Sequence, residues 1–430
     1  MKLRLRKPDC IGFLLFTILV LECNFFYLIP MGNLQTLNSP TNKYLIVILS
    51  FIGTFLVLKY TVVFYKEHPL YSVIIVYIIF CLFLLIVFSL LKYNQSFFDI
   101  WTKFYHFFSL TLVVPLLYKL ETDKGIKKFI NTILFCSTVF SLICLLQSKL
   151  YNSGGHIVLP GLTSDMISIR TGKLRLSANS VFHLGFIILL SKISDVTKSF
   201  WQKRIDILLF IIHFLTVIFV FMSRSLLVIF IVTFIFIYLA NTQSSKLFRL
   251  IILGIGGVCA IHFLDISSFI DSFSVDTTAG TALSTSNRLE ALEYFTGVFR
   301  SNPIFGMGFI RESLLQYRQL LHGPNLTYYV TDIGFLGLLG ESGILGGLIF
   351  IFLTYYLYIK IRIINSNKLF IDSYSYSLAY GLFSFWLLTS ISLIVTNPRY
   401  SVSMPFIIAI EIFISERSIQ NRRSRSNETC

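Results

Sequence analysis

Two neighbouring stretches decide how the rest of this sequence is interpreted: SNRLEALEYFTGVFRSNPIFGMGF, residues 286–309, and HGPNLTYYVTDIGFLGLLGESGILGGLIF, residues 322–350. The first combines spaced charges with apolar residues, and the second passes from a polar turn into a glycine-rich apolar run. They lie in or beside residues 265–332, the only long polar interval in a sequence otherwise written in apolar blocks. We therefore expect the function of the protein to reside in this region.

The composition indicates a membrane protein. The 430 residues are 55% hydrophobic and 13% charged, with a mean hydropathy of +0.77. Apolar runs of about 17 to 25 residues recur, and at about 1.5 Å per residue each can cross a hydrocarbon core of about 30 Å. Membrane strands would alternate polar and apolar residues instead. We predict an all-α polytopic membrane domain, 1–430, with one large extracytoplasmic loop, 265–332, that carries short amphipathic helices.

The spans and their charges predict an orientation. Placing the N-terminus in the cytoplasm puts the basic residues of every cytoplasmic turn on the same side, as the positive-inside rule requires. The net charge of +15 is thereby assigned to membrane topology, and no nucleic acid is expected as a partner. Both termini are predicted to be cytoplasmic in the cell (cytoplasmic or inner) membrane. The predicted spans, about twelve, are 11–30, 43–65, 70–91, 100–118, 127–148, 177–191, 205–222, 225–240, 250–264, 333–359, 376–396 and 400–415.

Several basic residues stay on the outer side, where topology does not explain them. Either they bind an anionic ligand, or they pair with nearby carboxylates in a loop that translocates whatever its charge. Residues 207–240 form one apolar run that would be about 50 Å long as a single helix, so it should break near Ser223-Arg224-Ser225. The outer set is Lys149, Arg170, Lys173, Arg175, Arg224, Arg288, Arg300, Arg311, Arg318 and Arg399.

The outer loops carry further local signals. Residues 149–176 are expected to be irregular because they are polar and contain a Gly-Gly pair. Asn287, three residues before Glu290, predicts a helix start with Arg288 in the first turn, and Asn302-Pro303 ends that helix. A second short helix is predicted in IRESLLQYRQLL, residues 310–321, ending at His322.

The glycines of the second stretch recur at every third position from Gly334 to Gly346. This spacing is typical of a flat helix face that packs closely against a neighbour. Glu341 lies within the same run, and a carboxylate facing the bundle interior requires a cationic partner, such as an outer arginine.

The residue types point to a lipid-linked diphosphate as ligand. Arginines bind phosphate through two parallel hydrogen bonds and remain charged, so no metal and no cofactor is expected. His322 is the candidate that accepts a proton from an attacking hydroxyl. Besides His322, Arg288 and Arg224 as catalytic residues, the predicted substrate-binding residues are Arg175, Arg170, Arg311, Asn325, Glu341 and Arg399.

A family resemblance rests on the order of these motifs. Ser223-Arg224, then Asn287-Arg288 leading to NPIFGMGF, then His322 and Asn325 before Glu341, resemble the O-antigen polymerase and ligase superfamily of membrane glycosyltransferases (Wzy and WaaL type). The resemblance implies action on undecaprenyl-diphosphate-linked glycans outside the membrane. It further implies that Arg224 and Arg288 hold the diphosphate and that His322 lies near the acceptor. The family often has a Trp shortly after the loop arginine, where this chain has Tyr294 and Phe295.

The leading hypothesis is a polymerase for O-antigen, capsule or exopolysaccharide, which joins lipid-linked repeat units. Its expected partners are the undecaprenyl-diphosphate-linked oligosaccharide and membrane lipid, together with a chain-length regulator and a flippase. Three alternatives stay open: an O-antigen ligase of the same superfamily, a lipid-linked oligosaccharide flippase or transporter, and a non-catalytic assembly subunit. For transport, the polar residues inside predicted spans are Glu22, His106, His183 and His213.

Overall fold

The protein is an assembly of helices in a computed structural model. The structure describes residues 9–30, 41–121, 123–162, 167–170, 173–195, 197–241, 279–311, 314–391, 397 and 400–428. The predicted span 250–264 and the start of the predicted loop, 265–278, lie outside the described residues.

The described residues of the N-terminal part, up to residue 162, form seven α-helices. They are α1 (Cys10–Glu22), α2 (Thr41–Leu56), α3 (Leu58–Glu67), α4 (Pro69–Tyr93), α5 (Phe97–Phe104), α6 (Val113–Leu120) and α7 (Asp123–Gly154). Short 3-10 helices follow α1 and α5, at Asn24–Tyr27 and Tyr105–Leu112.

The C-terminal part begins with a small hairpin and continues in helices. The strands are β1 (Ser168–Arg170) and β2 (Lys173–Arg175). The helices are α8 (Ser180–Ile193), α9 (Phe200–Thr216), α10 (Arg224–Asn241), α11 (Ala279–Ser301), α12 (Arg318–His322), α13 (Gly334–Ser366), α14 (Ser373–Leu388) and α15 (Ser403–Glu428). Short helical turns lie at Val217–Phe221, Leu315–Tyr317, Val330–Asp332, Lys368–Phe370 and Thr389–Ile391.

The helical membrane class is confirmed, and the chain is a membrane protein. Five described helices are long and apolar enough to cross a membrane, or six if the bent pair α2 and α3 counts as one span. That pair was predicted as one straight span, 43–65, but it bends by 87° at Val57. The predicted number of about twelve spans is not confirmed.

Contacts between helix ends define two ends of the bundle. At one end Glu22, the last residue of α1, binds Lys43 of α2 at 2.6 Å and Ser180 of α8 at 2.6 Å. At the other end Asp9, which precedes α1, forms an ion pair with Lys119 of α6. We call the first the outer end, after the side predicted for it from the sequence, and the second the basic end. Helix α2 therefore starts at the end where α1 finishes, and α6 finishes at the end where α1 starts.

Large aromatic side chains fill the centre of the bundle. Phe186 and Phe230 stack with ring centroids 3.9 Å apart, and they join α8 to α10. Trp386 is fully buried, and its Nε1 donates to the Thr354 hydroxyl at 2.8 Å. This bond satisfies the indole N–H, which has few other partners inside an apolar bundle. Packing of rings, rather than charge, holds α8, α10, α13 and α14 together.

Two of the polar residues considered for a transport pathway, Glu22 and His213, make local hydrogen bonds. Glu22 is held by Lys43 and Ser180. His213 contacts the Leu209 carbonyl through Nδ1 at 2.8 Å and the Ser137 hydroxyl through Nε2 at 3.1 Å. Hydrogen bonds of this kind stabilise helix packing in a membrane protein. They favour structural roles for these two residues.

Candidate functional site

The first element of the site is a break in the helix that precedes Arg224. Helix α9 passes into a π-helical turn, Val217–Phe221, and Met222 adopts a left-handed conformation with φ 46°. A new helix, α10, starts at Arg224. The break predicted near Ser223-Arg224-Ser225 is therefore confirmed. It places the backbone of Arg224 near the outer end, because the Phe221 carbonyl accepts from Arg175, five residues before the start of α8 at that end.

A hairpin from the preceding loop lies against this break. Strands β1 and β2 pair antiparallel, with Ile169 opposite Leu174, so the loop that was expected to be irregular contains a short hairpin. Leu174 is fully buried, which anchors the hairpin. The Nε of Arg175 donates to the Phe221 carbonyl at 2.9 Å, and the Leu176 N–H donates to Val220 at 3.2 Å. Arg175 is thus fixed beside the turn that leads to Arg224.

Helix α11 carries Arg288 but does not start where predicted. It begins at Ala279, so Asn287 is inside the helix and does not cap it, and Arg288 is not in the first turn. The residues before Asn287 continue the helix, which outweighs the local capping signal. The predicted end at Asn302-Pro303 is confirmed, since the helix ends at Ser301. Arg288 is exposed to solvent.

Helix α11 packs against the glycine-rich part of α13. Phe295 is fully buried, and a Cβ added at Gly340 would lie 2.8 Å from the Phe295 Cβ. Arg288 and Phe295 are seven residues apart and so lie on the same stripe of the helix, about two turns apart. The close packing predicted for the glycines therefore exists at Gly340, and it sets the position of the helix that carries Arg288.

Helix α13 is broken at Gly343, and the loop after α11 fills the break. Gly343 has φ 62° and ψ −159°, outside the helical region. The Ile344 N–H donates to Pro303 at 2.8 Å, and the Gly308 N–H donates to the Glu341 carbonyl at 2.7 Å. Backbone groups freed by the break are thereby satisfied, as burial demands. Residues 303–308 and the break form one unit.

The same loop is attached to α4 and α5. The Tyr93 hydroxyl donates to the Met307 carbonyl, and the Gln95 side chain binds the backbone of Phe309 and Arg311 at 3.0 and 2.9 Å. Arg311 also forms an ion pair with Asp99. The structure thus gives Arg311 a structural contact, and its predicted contact with substrate stays a prediction.

His322 is the last residue of α12, at the start of a tight turn. Its Nδ1 lies 3.1 Å from the Tyr328 carbonyl, and the Tyr328 N–H donates to the His322 carbonyl at 3.0 Å. A carbonyl oxygen only accepts hydrogen bonds, so Nδ1 carries the proton of the neutral ring. The Nε2 then keeps its lone pair and can act as a base.

Tyr328 joins this turn to helix α11. Its hydroxyl donates to the Glu290 carboxylate at 2.8 Å, and this bond raises the pKa of the tyrosine. Tyr294, one turn further on, donates to the Leu320 carbonyl at 3.1 Å. Two hydrogen bonds therefore hold α11 and the short helix of His322 together.

The structure describes some of the remaining predicted site residues and not others. Asn325 is exposed in the turn after His322, and Glu341 is half-buried beside the break in α13. The side chains of Arg170 and Arg224 and the whole of Arg399 lie outside the described part of the structure. Their roles stay predictions.

Three residues near His322 were missed by sequence reasoning. Glu290 was interpreted as part of a helix cap, whereas it binds Tyr328. Tyr329 is 51% exposed, with its ring 5.1 Å from that of His322. The pair Tyr328-Tyr329 directly after a Gly-Pro turn was the available signal, because exposed aromatic residues in polar loops often belong to binding surfaces.

One comparison with known proteins concerns this part of the chain. Residues 208–351 match a family model described as Wzy_C, O-Antigen ligase. The matched segment contains Arg224, Arg288, His322 and Glu341. The predicted resemblance to the O-antigen polymerase and ligase superfamily is thereby confirmed. No curated protein matches the chain.

Proposed function

We propose that this membrane protein is a polysaccharide polymerase, because residues 208–351 match the O-antigen ligase family model. It transfers a growing glycan from undecaprenyl diphosphate to a hydroxyl of a lipid-linked repeat unit at the outer face of the cytoplasmic membrane. The glycan belongs to an O-antigen, a capsule or an exopolysaccharide. Its working partners are the lipid-linked oligosaccharide, the flippase that delivers it and a chain-length regulator.

The observation that carries the proposal is the environment of His322. Its Nδ1 is committed to the Tyr328 carbonyl, so Nε2 is the nitrogen that accepts a proton. The Tyr328 hydroxyl is held in turn by Glu290, two residues from Arg288. The helix that carries Arg288 is therefore hydrogen-bonded to the turn after His322. Transfer of a sugar from a lipid diphosphate needs a base for the acceptor hydroxyl and a cation for the charge on the leaving group.

In the proposed reaction, protein side chains alone handle the proton and the charge of the leaving group. The Nε2 of His322 takes the proton of the acceptor hydroxyl while its oxygen attacks the anomeric carbon of the donor sugar. The bond from that carbon to the diphosphate oxygen breaks, with inversion, and undecaprenyl diphosphate leaves with the electron pair. Arg288, Arg224 and Arg175 hold the developing charge on the leaving group. Tyr329 and Asn325 lie beside His322, where the acceptor sugar would bind.

A reconstituted assay tests the proposal. Purified protein in liposomes receives its lipid-linked repeat unit, and the readouts are a polymer ladder and released undecaprenyl diphosphate. We expect His322→Ala to remove both products. His156→Ala is the control, because His156 is an exposed histidine of another loop and has no described bond to α11 or to the turn after His322. Full activity of His322→Ala would refute the proposed base.

A second function, that of an O-antigen ligase, is favoured by the description of the matching family. The two enzymes share a donor and differ in the acceptor. The same liposomes should therefore be supplied with the repeat unit and, separately, with lipid A core. Transfer to lipid A core alone would replace the polymerase by the ligase, and His322 would keep its role.

A further inference from the structure

A groove opens between α1 and α7 near the basic end of the bundle. It is lined by Phe16, Lys127, Lys128, Asn131, Thr132 and Phe135, and its volume is about 520 Å³. That is in the range of about 300–1,000 Å³ found for small-molecule sites. The groove is far from the candidate active site, because α7 ends at the outer end and begins here.

The walls of the groove change character along its length. Lys127, Asn131 and Phe135 are four residues apart and so follow one face of α7. The aromatic part, about 12 Å further along the helix than the lysine, lies towards the middle of the apolar span Gly125–Gly154. Phe16 and Phe135 are 40% and 61% exposed. A polar mouth therefore leads into an apolar floor.

The charge at the mouth is positive. Among the described ion pairs, Asp9 is the acidic residue that meets a lysine of the groove. Asp9 binds Lys119 and lies 3.9 Å from Lys128. The Lys128 side chain is still 72% exposed. Lys127 also lines the groove and has no ion pair among the described residues. Two exposed ammonium groups at the mouth would attract an anion.

We propose that this groove is a binding site for one anionic phospholipid from the leaflet at the basic end. The phosphate group lies between Lys127 and Lys128, a headgroup oxygen accepts from the Asn131 amide, and an acyl chain runs along Phe16 and Phe135. A phospholipid carries its charged headgroup next to its acyl chains, and the groove likewise has its lysines at the mouth and its phenylalanines along the floor. Free phosphate lacks the chain that the apolar floor accommodates.

The test measures binding of phosphatidylglycerol and phosphatidylcholine to the purified full-length protein in a neutral detergent. Wild type should prefer phosphatidylglycerol. The double variant Lys127→Gln, Lys128→Gln should bind it about 10- to 30-fold more weakly, from about 1 kcal/mol per lysine. The matched control Lys198→Gln, Arg204→Gln removes two exposed cations from the α8–α9 region at the same end and should change binding less than twofold.

A further variant separates a site from general surface attraction. Asn131→Trp fills the groove but leaves both lysines, and Asn131 is exposed, so the fold should tolerate it. We expect loss of the phosphatidylglycerol preference with an unchanged elution volume in size-exclusion chromatography. Three results would overturn the proposal: no lipid preference in wild type, an equal loss in the control pair, or full binding by Asn131→Trp. None of these readouts depends on polymerase activity.

Discussion

The break in α13 gives the sharpest prediction, which concerns Gly343→Ala. The backbone of Gly343, at φ 62° and ψ −159°, is in a region that residues with a side chain rarely adopt. An added Cβ would lie 2.2 Å from the Ile304 oxygen and 2.6 Å from the Phe305 nitrogen. These neighbours are backbone atoms, so the loop after α11 would have to move.

The expected loss of stability in Gly343→Ala has two parts, the backbone strain and the lost contacts of the loop after α11. Backbone strain is about 1–3 kcal/mol. Four backbone hydrogen bonds join the loop to α13, from Ile344 and Leu345 to residues 303 and 304 and from residues 307 and 308 to Gly340 and Glu341. At about 1 kcal/mol for each bond, complete loss of the loop contact would bring the total to about 5–7 kcal/mol. Since the loop also fixes α11, activity should fall with stability.

The assay compares thermal unfolding in detergent and polymer formation for Gly343→Ala and Gly297→Ala. Gly297 is an exposed helical glycine of α11, and an added Cβ there meets no atom within 4 Å. Alanine at such a position should be neutral or stabilise the helix by up to about 1 kcal/mol. A Gly343→Ala protein that unfolds at the wild-type temperature and makes polymer would refute the reasoning, as would equal damage by Gly297→Ala.

Three further predictions concern the site and the bundle. The Arg288→Ala protein should insert into the membrane normally but make no polymer, so that repeat units persist. Arg300 is an exposed arginine near the end of the same helix, and Arg300→Ala should retain activity. The readout is the polymer ladder in a gel. Tyr328→Phe, which removes the hydrogen bond to the carboxylate on α11, should lower turnover about tenfold, the loss expected for about 1.4 kcal/mol, and unchanged turnover would show that the bond does not position the histidine. Lys43→Ala should destabilise the protein by about 3–5 kcal/mol in thermal unfolding because it leaves a buried carboxylate unpaired, whereas Glu22→Gln with Lys43→Met should cost much less; equal losses would contradict the ion-pair argument.

Local signals predicted the elements that depend on neighbouring residues. The break before Arg224 follows from the length of one apolar run, because a continuous helix would exceed the membrane thickness. The end of α11 follows from Asn302-Pro303. The start of α11 did not follow, since the capping signal at Asn287 competes with a helix that already runs from Ala279.

Contacts between distant parts of the chain could not be predicted from local patterns. Regular glycine spacing in α13 indicated one continuous packed helix. The break at Gly343 depends on a loop some 40 residues earlier, which supplies the missing hydrogen-bond partners. Similarly, the bond between Glu290 and Tyr328 joins residues 38 positions apart, and neither residue type alone specifies the other.

The sequence by itself determined that this is a helical membrane protein and that arginines and His322 collect in one region. These properties are set by hydrophobicity, segment length and charge, which act residue by residue. The tertiary structure decided which nitrogen of His322 is free, because that depends on the carbonyl of Tyr328 that folds back onto it. It also decided that Arg311 binds Asp99 and that Arg175 lies at the end of α9, since such contacts exist only once separate helices have packed.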